Sequence, residues 1–159
     1  MLGDAMATWL MKSEPDTFGI AHLKRKKREH WDGVRNYQAR NNMMAMKPGD
    51  RVLFYHSNAK PPGVAGVAGV ACEAYPDHTA QDPTSHYFDA KASPDKPIWF
   101  MVDVSYVETF PRLVSLDELK DTPGLKNMAV VQRGSRLSVT PVTDSEFEIV
   151  CDLARSPAE

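Results

Sequence analysis

The chain has 159 residues, of which 42% are hydrophobic and 25% are charged, and its formal net charge is −2. These values are typical of one ordinary globular domain with enough apolar residues for a core. No apolar run reaches the length of about 18 residues that a membrane span needs, and the N-terminus lacks a charged region followed by a long apolar one. The sequence therefore predicts neither a transmembrane helix nor a secretory signal.

The charges are distributed unevenly along the chain. Residues 1–60 contain 11 Lys and Arg against 6 Asp and Glu, whereas residues 61–159 contain 8 against 15. A basic first part in a mildly acidic protein favours local contact with phosphate over wrapping of a long duplex. The alternative is that the two parts interleave in space, which would cancel the asymmetry.

The first predicted elements are a short strand and a short helix. Thr8 to Met11 form an apolar run that predicts the strand, which ends before Pro15 because proline cannot donate to a sheet ladder. Residues 16–23 predict the helix, with Asp16 or Thr17 as its cap. Five consecutive cations follow, Lys24 to Arg28, which we call the basic segment. It predicts a solvated loop, and the alternatives are a phosphate-binding segment or a nuclear address.

Residues 31–41 contain what a nucleobase pocket needs. Trp31 offers a flat ring just before an Asp-Gly turn, and Asn36 and Tyr37 offer an amide and a phenol at the start of a predicted helix. Two guanidinium groups that can contact phosphate lie around them, those of Arg35 and Arg40. The alternative is a core tryptophan followed by a helix cap.

Regular patterns continue through the middle of the chain. Gln38 to Met46 predict a helix, since Ala39, Met43 and Met46 recur on one face. Arg51 to Ser57 predict a strand, with residues 52, 54 and 56 on one side and 53, 55 and 57 on the other. A GVAGVAGVA stretch at 63–71 predicts a strand of small residues, extending to about Ala74, that permits a tight bend or a close backbone approach.

The last third of the chain completes the predicted fold. Residues 75–97 contain four prolines and predict a long loop, either a flap over a site or an inert excursion. Ile98 to Phe110 predict the longest strand, on which Trp99 and Met101 add bulk to the polar face. Capping boxes at 115–118 and 143–146 open two helices, with a basic turn and a short strand between them. The pattern predicts an α+β fold, a curved and largely antiparallel sheet or small barrel with helices at its margin.

The sequence shows no catalytic or metal-binding constellation. His56 and Ser57 are neighbours on a strand, so they point to opposite faces and do not form a nucleophile–base pair. There is no GxSxG motif and no pair of histidines at the i, i+4 spacing of a zinc helix. Cys72 and Cys151 lack a CxxC spacing, which predicts free thiols in a reducing compartment. We predict no catalytic residue, no metal and no cofactor.

A base pocket is better supported by the residue types present. Each base-stacking contact is worth about 1–3 kcal/mol, and extruding a base costs a few kcal/mol, so two rings could offset the extrusion. The candidate rings are those of Trp31, Tyr37, Tyr55 and Trp99. The candidate groups for reading a base edge are Ser13, Asn36, Ser57 and Asn58, each of which has a turn or cap role as its alternative.

Five motifs, in the same order along the chain, resemble the EVE domain family and the thymocyte nuclear protein group that carries this domain. They are WLMKSEP at 9–15, WDGVRNYQARN at 31–41, FYHS at 54–57, AYPD at 74–77 and RGSRLSV at 133–139. The resemblance runs from about Ala7 to Ala154. It implies a PUA-like fold, a small curved β-barrel with flanking helices, over residues 7–155, between a flexible leader at 1–6 and a tail at 156–159.

The resemblance also implies a non-enzymatic module that holds a modified nucleobase in an aromatic pocket, with modified cytosine in DNA favoured over modified RNA. The expected pocket residues are Lys12, Ser13, Glu14, Trp31, Asn36, Tyr37, Tyr55, His56, Ser57, Asn58 and Trp99, and the expected phosphate contacts are Arg35, Arg40, Arg133 and Arg136.

The expected partners are nucleic acid that carries the modified base and an effector protein in trans, because no nuclease or motor domain is fused to the domain. A chain that starts almost directly at the domain favours a bacterial cytoplasmic protein over a eukaryotic nuclear one. The alternatives are an RNA-binding protein, an RNA- or nucleotide-processing enzyme that uses Glu14 or His56, or a module that docks a protein through the basic segment and the long loop.

Overall fold

A single six-stranded sheet forms the centre of the computed structural model, which describes residues 6–156, and a separate pair of short strands lies beside it. The strands are β1 (Thr8–Ser13), β2 (Arg28–His30), β3 (Arg51–His56), β4 (Gly63–Val70), β5 (Tyr75–Pro76), β6 (Phe100–Met101), β7 (Asp103–Ser115) and β8 (Val139–Val142). The α-helices are α1 (Pro15–Phe18), α2 (Ile20–Lys26), α3 (Tyr37–Ala45), α4 (Leu116–Asp121) and α5 (Asp144–Arg155). Short 3-10 helices cover His78–Gln81 and Ala129–Val131.

The sheet is curled and mostly antiparallel, as predicted. Its strand order is β2-β7-β4-β3-β1-β8, and β1 with β3 is the parallel pair among the strands of residues 6–156. Strands β4 and β7 lose register twice, between Val64 and Gly66 and between Val67 and Ala68. Such bulges bend a strand and increase its twist, which turns the sheet into a half-barrel.

Two glycines of β4 allow the backbone of β7 to approach closely, which is one of the two roles that the sequence predicted for them. A Cβ atom at Gly66 would overlap the carbonyl oxygen of Glu108 on β7, and one at Gly63 would overlap that of Val114. Both neighbours are backbone atoms that cannot rotate away. The small-residue pattern therefore allows the longest strand to lie directly against β4.

Alternation along β1 and β3 divides the core into two layers, one on each face of the sheet. Trp9, Met11, Val52 and Phe54 pack in the layer that includes residues of α2 and α3. Leu10, Leu53 and Tyr55 pack in the layer that includes residues of α4 and α5. This confirms the predicted alternation of β3. The predicted apolar face of α3 is also buried, at Ala39 and Met43, and Met46, which follows the last residue of the helix, is buried as well.

Two element predictions were wrong near the N-terminus. The helix predicted over 16–23 is divided at Gly19 into α1 and α2, because the backbone at Gly19 is extended. The basic segment is not a loop, since Lys24 to Lys26 form the last turn of α2 and Arg28 begins β2.

The observed bounds of two strands also differ from the predicted ones. The glycine-rich strand ends at Val70, and the strand predicted at 98–110 is interrupted at Val102 and runs on to Ser115. The Thr143–Glu146 capping box forms in full. In the box predicted at α4, Ser115 accepts the backbone N–H of Glu118, but the carboxylate of Glu118 binds Arg112.

The predicted leader and tail fall mostly on residues 1–5 and 157–159, which lie outside the described residues. None of the helices within residues 6–156 has the length and apolar character to cross a membrane.

Candidate functional site

A cavity of about 450 Å³ lies at the end of the sheet where β1 and β3 finish side by side. The parallel register places Ser13 opposite His56, so the residues that follow the two strands leave the sheet together. Strand β8 is antiparallel to β1 and pairs Val139 with Met11, which brings the preceding Ser138 to the same end. The cavity is lined by residues 12–14, Thr17, residues 31–35, Ser57, Tyr87, Arg136 and Ser138.

A second, smaller cavity of about 230 Å³ adjoins the first. The two share five lining residues, Ser13, Thr17, Trp31, Asp32 and Tyr87. The smaller cavity adds Phe18, Glu29 and His30, of which the last two belong to β2. The site therefore extends from the end of the central strands to the edge strand of the sheet.

Trp31 is both a core residue and a wall of the cavity. Phe18 and Phe54 hold the indole from behind in edge-to-face contacts, with ring centroids 5.7 Å and 5.3 Å away. Its backbone N–H donates to the carbonyl of Val102 at 2.8 Å. Only 6% of the residue is exposed, and it lines both cavities. These contacts fix the indole before any ligand arrives.

The second ring of the cavity belongs to Tyr87, a residue that the sequence analysis missed. Tyr87 lies in the long segment between β5 and β6 and lines both cavities. Its ring covers Gly33, where an added Cβ would come within 2.7 Å of the ring. Gly33 also has a φ of +81°, which glycine adopts without a steric cost. The segment predicted as either a flap or an excursion thus contributes a wall.

Asp77 joins this segment to the Trp31 loop. Its carboxylate, which is fully buried, accepts hydrogen bonds from the backbone N–H of Gly33 at 2.9 Å and from the Arg35 guanidinium at 3.0 Å. It also accepts two from Thr79. Burial alone would raise the pKa of Asp77, but the hydrogen bonds from Thr79, Gly33 and Arg35 hold it below its usual range.

Arg35 carries this network on to Tyr87. Its Nε donates to the Tyr87 carbonyl at 3.0 Å, and its guanidinium carbon lies 5.6 Å from the centre of the Tyr87 ring. Another N–H donates to the hydroxyl of Thr79 at 3.1 Å. Arg35, predicted as a phosphate contact, therefore has protein partners that position the second ring.

Polar groups surround the rings on the strand side of the cavity. The hydroxyl of Ser13 donates to the carbonyl of Phe18 at 2.7 Å, and the N–H of Ser57 donates to the carbonyl of Ser13 at 2.9 Å. Lys12 is half-buried, and burial lowers the pKa of its ammonium group. The lining thus combines three cations, Lys12, Arg35 and Arg136, with two carboxylates, Glu14 and Asp32.

One ring nitrogen of His56 has a partner within the protein. Its Nε2 accepts the backbone N–H of Ile20 at 3.2 Å, so that lone pair is occupied. Burial lowers the pKa of the imidazole, which favours the neutral form. The ring packs edge-on against Phe54 and does not line the cavity. Within residues 6–156, no three His, Cys, Asp or Glu side chains come together as a metal site.

Seven of the predicted site residues are brought together in the cavity, namely Lys12, Ser13, Glu14, Trp31, Arg35, Ser57 and Arg136. Tyr55 is absent because it points into the other core layer, on the face of the sheet opposite Phe54. Asn58 lies in an exposed turn with a φ of +50°, and Arg133 is exposed in the turn before β8. Neither lines the cavity.

The remaining predicted residues lie together at the start of α3, outside the cavity. Asn36 caps the helix by accepting the N–H of Ala39 at 2.9 Å. Tyr37 stacks on Trp99 with ring centroids 4.9 Å apart, and Arg40 lies over Tyr37 and donates to the carbonyl of Ile98. The indole N–H of Trp99 donates to Asp89 at 2.8 Å. These rings stack on each other, so Trp99 is buried while Tyr37 is largely exposed.

Comparisons with known proteins agree on one family. The family model of the EVE domain matches residues 7–153. Human thymocyte nuclear protein 1 is 44% identical over 164 residues, which cover 91% of this chain and 72% of that protein. A crystal structure of a Pseudomonas putida protein has a TM-score of 0.91 at 53% identity, covering 93% of this chain and 99% of that one.

A crystal structure of human THYN1 protein in complex with 5-methylcytosine-containing DNA is also similar. It has a TM-score of 0.89 at 42% identity and covers 96% of this chain and 99% of that one. The curled sheet with its flanking helices is therefore the PUA-like fold that the sequence motifs implied.

Proposed function

The chain belongs to the EVE domain family, and on that premise we propose that it is a non-enzymatic reader that holds one modified nucleobase, a modified cytosine in DNA, in the cavity beside Trp31. The observation that carries this proposal is the pair of rings, Trp31 and Tyr87, that line one cavity between cations and carboxylates. The human relative whose structure contains 5-methylcytosine DNA supports the choice of ligand.

The size and walls of the cavity suit a single base. Its volume of about 450 Å³ falls within the about 300–1,000 Å³ of typical small-ligand pockets. Each stacking contact contributes about 1–3 kcal/mol, while extruding a base from a duplex costs a few kcal/mol. Two rings can therefore offset the extrusion, and polar groups are left to select the base.

The polar lining matches the edge of a cytosine. The exocyclic amino group of cytosine is a donor, and Asp or Glu carboxylates are its usual acceptors. Glu14 and Asp32 are the carboxylates of the lining. Lys12 supplies donors from the same end of β1, which suits the carbonyl and ring nitrogen of cytosine. Arg136 is exposed at the rim and is the remaining predicted phosphate contact that lines the cavity.

The proposal also covers the binding partner, the cellular location and the absence of catalysis. The partner is nucleic acid, and any downstream action belongs to an effector protein in trans. The protein acts where that nucleic acid is, in the cytoplasm of a bacterium or the nucleus of a eukaryote; the human relative's name supports the latter. The reader does not process its ligand, and the occupied lone pair of His56 supports this.

Binding to matched oligonucleotides tests the proposal. Duplex and single-stranded DNA, each with one 5-methylcytosine or one cytosine at the same position, are titrated at two salt concentrations. We expect tighter binding to the modified strand and a preference that survives added salt, because stacking and edge contacts are less salt-dependent than phosphate contacts. Equal binding to both strands that weakens with salt would refute the reader.

The Trp31→Ala variant assigns the preference to the cavity. Loss of one stacking contact should cost about 1–3 kcal/mol, or about 5- to 150-fold in affinity for the modified strand. Because Trp31 is also a core residue, urea unfolding must show that the variant is folded at the assay temperature. Unchanged affinity in a folded variant would remove the cavity assignment.

A further inference from the structure

The basic segment, residues 24–28, is part of the folded framework and its side chains are all exposed. The backbone N–H of Lys27 donates to the carbonyl of Leu23 at 2.7 Å, and the Lys27 carbonyl accepts the N–H of Tyr106 at 2.9 Å. These bonds tie the end of α2 to β7. The five cations are therefore presented from a fixed backbone.

Three of these cations have no ion-pair partner within residues 6–156. Lys26 pairs with Glu29 at 3.2 Å and Arg28 pairs with Asp103 at 3.0 Å. No carboxylate of the described part of the chain lies within 4.0 Å of the charged groups of Lys24, Arg25 or Lys27. Cations at the C-terminal end of a helix offset its dipole, and Lys24, Arg25 and the C-cap residue Lys27 all lie at that end of α2. Their charged groups are exposed and therefore available to an anion as well.

The basic segment lies close to the base cavity along the chain. Strand β2 connects it to Trp31, and Glu29 and His30 of that strand line the smaller cavity. An extended chain advances about 3.3 Å per residue, so the Cα atoms of Lys27 and Trp31 are at most about 13 Å apart. One DNA strand advances about 3.4 Å per nucleotide along a duplex, so this upper limit corresponds to about four nucleotide steps.

We infer that the basic segment binds backbone phosphates of the same DNA strand whose base enters the cavity, within about four nucleotides of that base. Lys24, Arg25 and Lys27 are the contacts, and they are independent of sequence because phosphate carries no base information. The orientation of the strand rests on the proposed function. The contact itself requires only a polyanionic backbone.

A nucleic acid fits this surface better than a membrane does. An amphipathic helix that inserts into a lipid surface needs an exposed apolar face beside its cations. Charge alone also attracts anionic headgroups, which the vesicle comparison below tests. The apolar residues of α2, Ile20 and Leu23, are buried in the core layer that contains Trp31. The exposed Val107 lies beside this surface, since the N–H of the residue before it donates to the carbonyl of Lys27. The basic segment itself offers only charge, which is what phosphate contacts require.

The salt dependence of binding tests the inference. A triple variant, Lys24→Gln, Arg25→Gln and Lys27→Gln, is compared with a control triple of the same charge change, Lys47→Gln, Lys120→Gln and Lys126→Gln, whose residues are exposed and line neither cavity. On duplex DNA, each phosphate contact makes the slope of log affinity against log salt more negative by about 0.9. We therefore expect the slope of the first triple, and not that of the control, to become less steep by up to about 2.7.

The modified-base assay separates this inference from the proposed function. We expect the first triple to bind modified and unmodified duplexes more weakly by the same factor, so that the preference is unchanged. A slope equal to that of the control triple would overturn the inference while the preference, and the reader, remained. If the first triple has a less steep salt slope but the wild type does not prefer modified DNA, the result would support the phosphate contact and refute the proposed reader function.

Vesicles of phosphatidylserine and phosphatidylcholine provide the remaining comparison, against phosphatidylcholine alone. Wild-type protein that binds the anionic vesicles through the basic segment, while its DNA slope is unaffected by the triple substitution, would overturn the inference in favour of a membrane surface. Absence of vesicle binding together with a reduced DNA slope would support it.

Discussion

The ring of Tyr87 lies directly on the backbone of Gly33, so close that a Cβ atom at position 33 would approach within 2.7 Å of it. The contact joins a loop that follows β2 to a segment more than fifty positions later in the chain. It sets the position of one ring of the cavity relative to the Trp31 loop. A substitution of one methyl group is therefore enough to test the arrangement of the site.

Gly33→Ala should weaken both the fold and modified-base binding. The φ of +81° costs a non-glycine residue about 1–2 kcal/mol, and the new methyl group displaces the Tyr87 ring. Urea unfolding and oligonucleotide titration measure the two effects. Gly49→Ala is the matched control, because its φ is +94° and nothing lies within 4 Å of the added Cβ. Equal losses of affinity in the two variants would show that the Tyr87 contact has no role in binding.

Tyr87→Ala should reduce affinity for the modified strand by about 5- to 150-fold, the equivalent of one stacking contact. Tyr87→Phe keeps the ring and should retain most of the affinity. Phe88→Ala serves as the control, since Phe88 is the next residue, is exposed and does not line the cavity. Titration of the modified and unmodified strands decides the matter. A loss in Phe88→Ala as large as that in Tyr87→Ala would indicate a general effect of the loop.

Asp77→Asn should destabilise the protein and change how its stability depends on pH. The folded-state pKa of Asp77 is below its usual range, so its contribution is complete above the unfolded value of about 4 and is lost as pH falls through the folded pKa. The substitution also places the NH2 group of an amide among four hydrogen-bond donors. At pH values above about 4 this should lower the free energy of unfolding by about 1–3 kcal/mol.

Urea unfolding of both proteins between neutral pH and the acid range measures the difference. We expect the gap between wild type and Asp77→Asn to narrow as pH falls below about 4, because the unfolded wild-type chain then takes up a proton at Asp77 before the folded protein does. Asp95→Asn is the control, since Asp95 is exposed and lines neither cavity. A gap that is constant over this range would contradict the ionised, hydrogen-bonded state of Asp77.

Glu14→Gln should distinguish a reader from an enzyme. If Glu14 accepts the cytosine amino group, the substitution should cost about 1–3 kcal/mol of discrimination between cytosine-type bases and thymine. An enzyme that used Glu14 as an acid–base group would instead lose turnover of a nucleoside or nucleotide. Asp16→Asn is the neighbouring control, exposed and outside the cavity. Turnover by the wild type that disappears in Glu14→Gln would refute the non-enzymatic proposal.

Periodicity in the sequence predicted most of the framework. The alternation over 51–57 and the methionine face of α3 placed those residues correctly, because each pattern follows from the geometry of its own element. The same alternation places Tyr55 and Phe54 in different core layers, and Tyr55 does not line the cavity of Trp31. The interruption of the helix at Gly19 has a local signal, the glycine followed three positions later by His22, whose ring accepts the Gly19 N–H. The register shifts of β4 depend on β3 and β7, which no local pattern encodes.

The site was predicted in part for the same reason. The motifs at 9–15 and 31–41 supplied Lys12, Ser13, Glu14, Trp31 and Arg35, which the parallel pairing of β1 and β3 brings together. Tyr87 lies in a segment without periodicity, and its position depends on Arg35 and Asp77, which are distant in sequence. The one local signal was Gly33, whose lack of a side chain marks a close approach without naming the partner.

The parallel pairing of β1 and β3, with β8 on the other side of β1, determines when the site can exist. Its walls come from residues 12 to 138, and the strand that positions the last of them is completed only at Val142. A ribosome that has made the first hundred residues has produced Trp31 and Tyr87 but not Ser138 or its strand. Ligand stabilises only a state that it binds. A nucleic acid that binds this cavity therefore stabilises the chain only after β8 has joined the sheet.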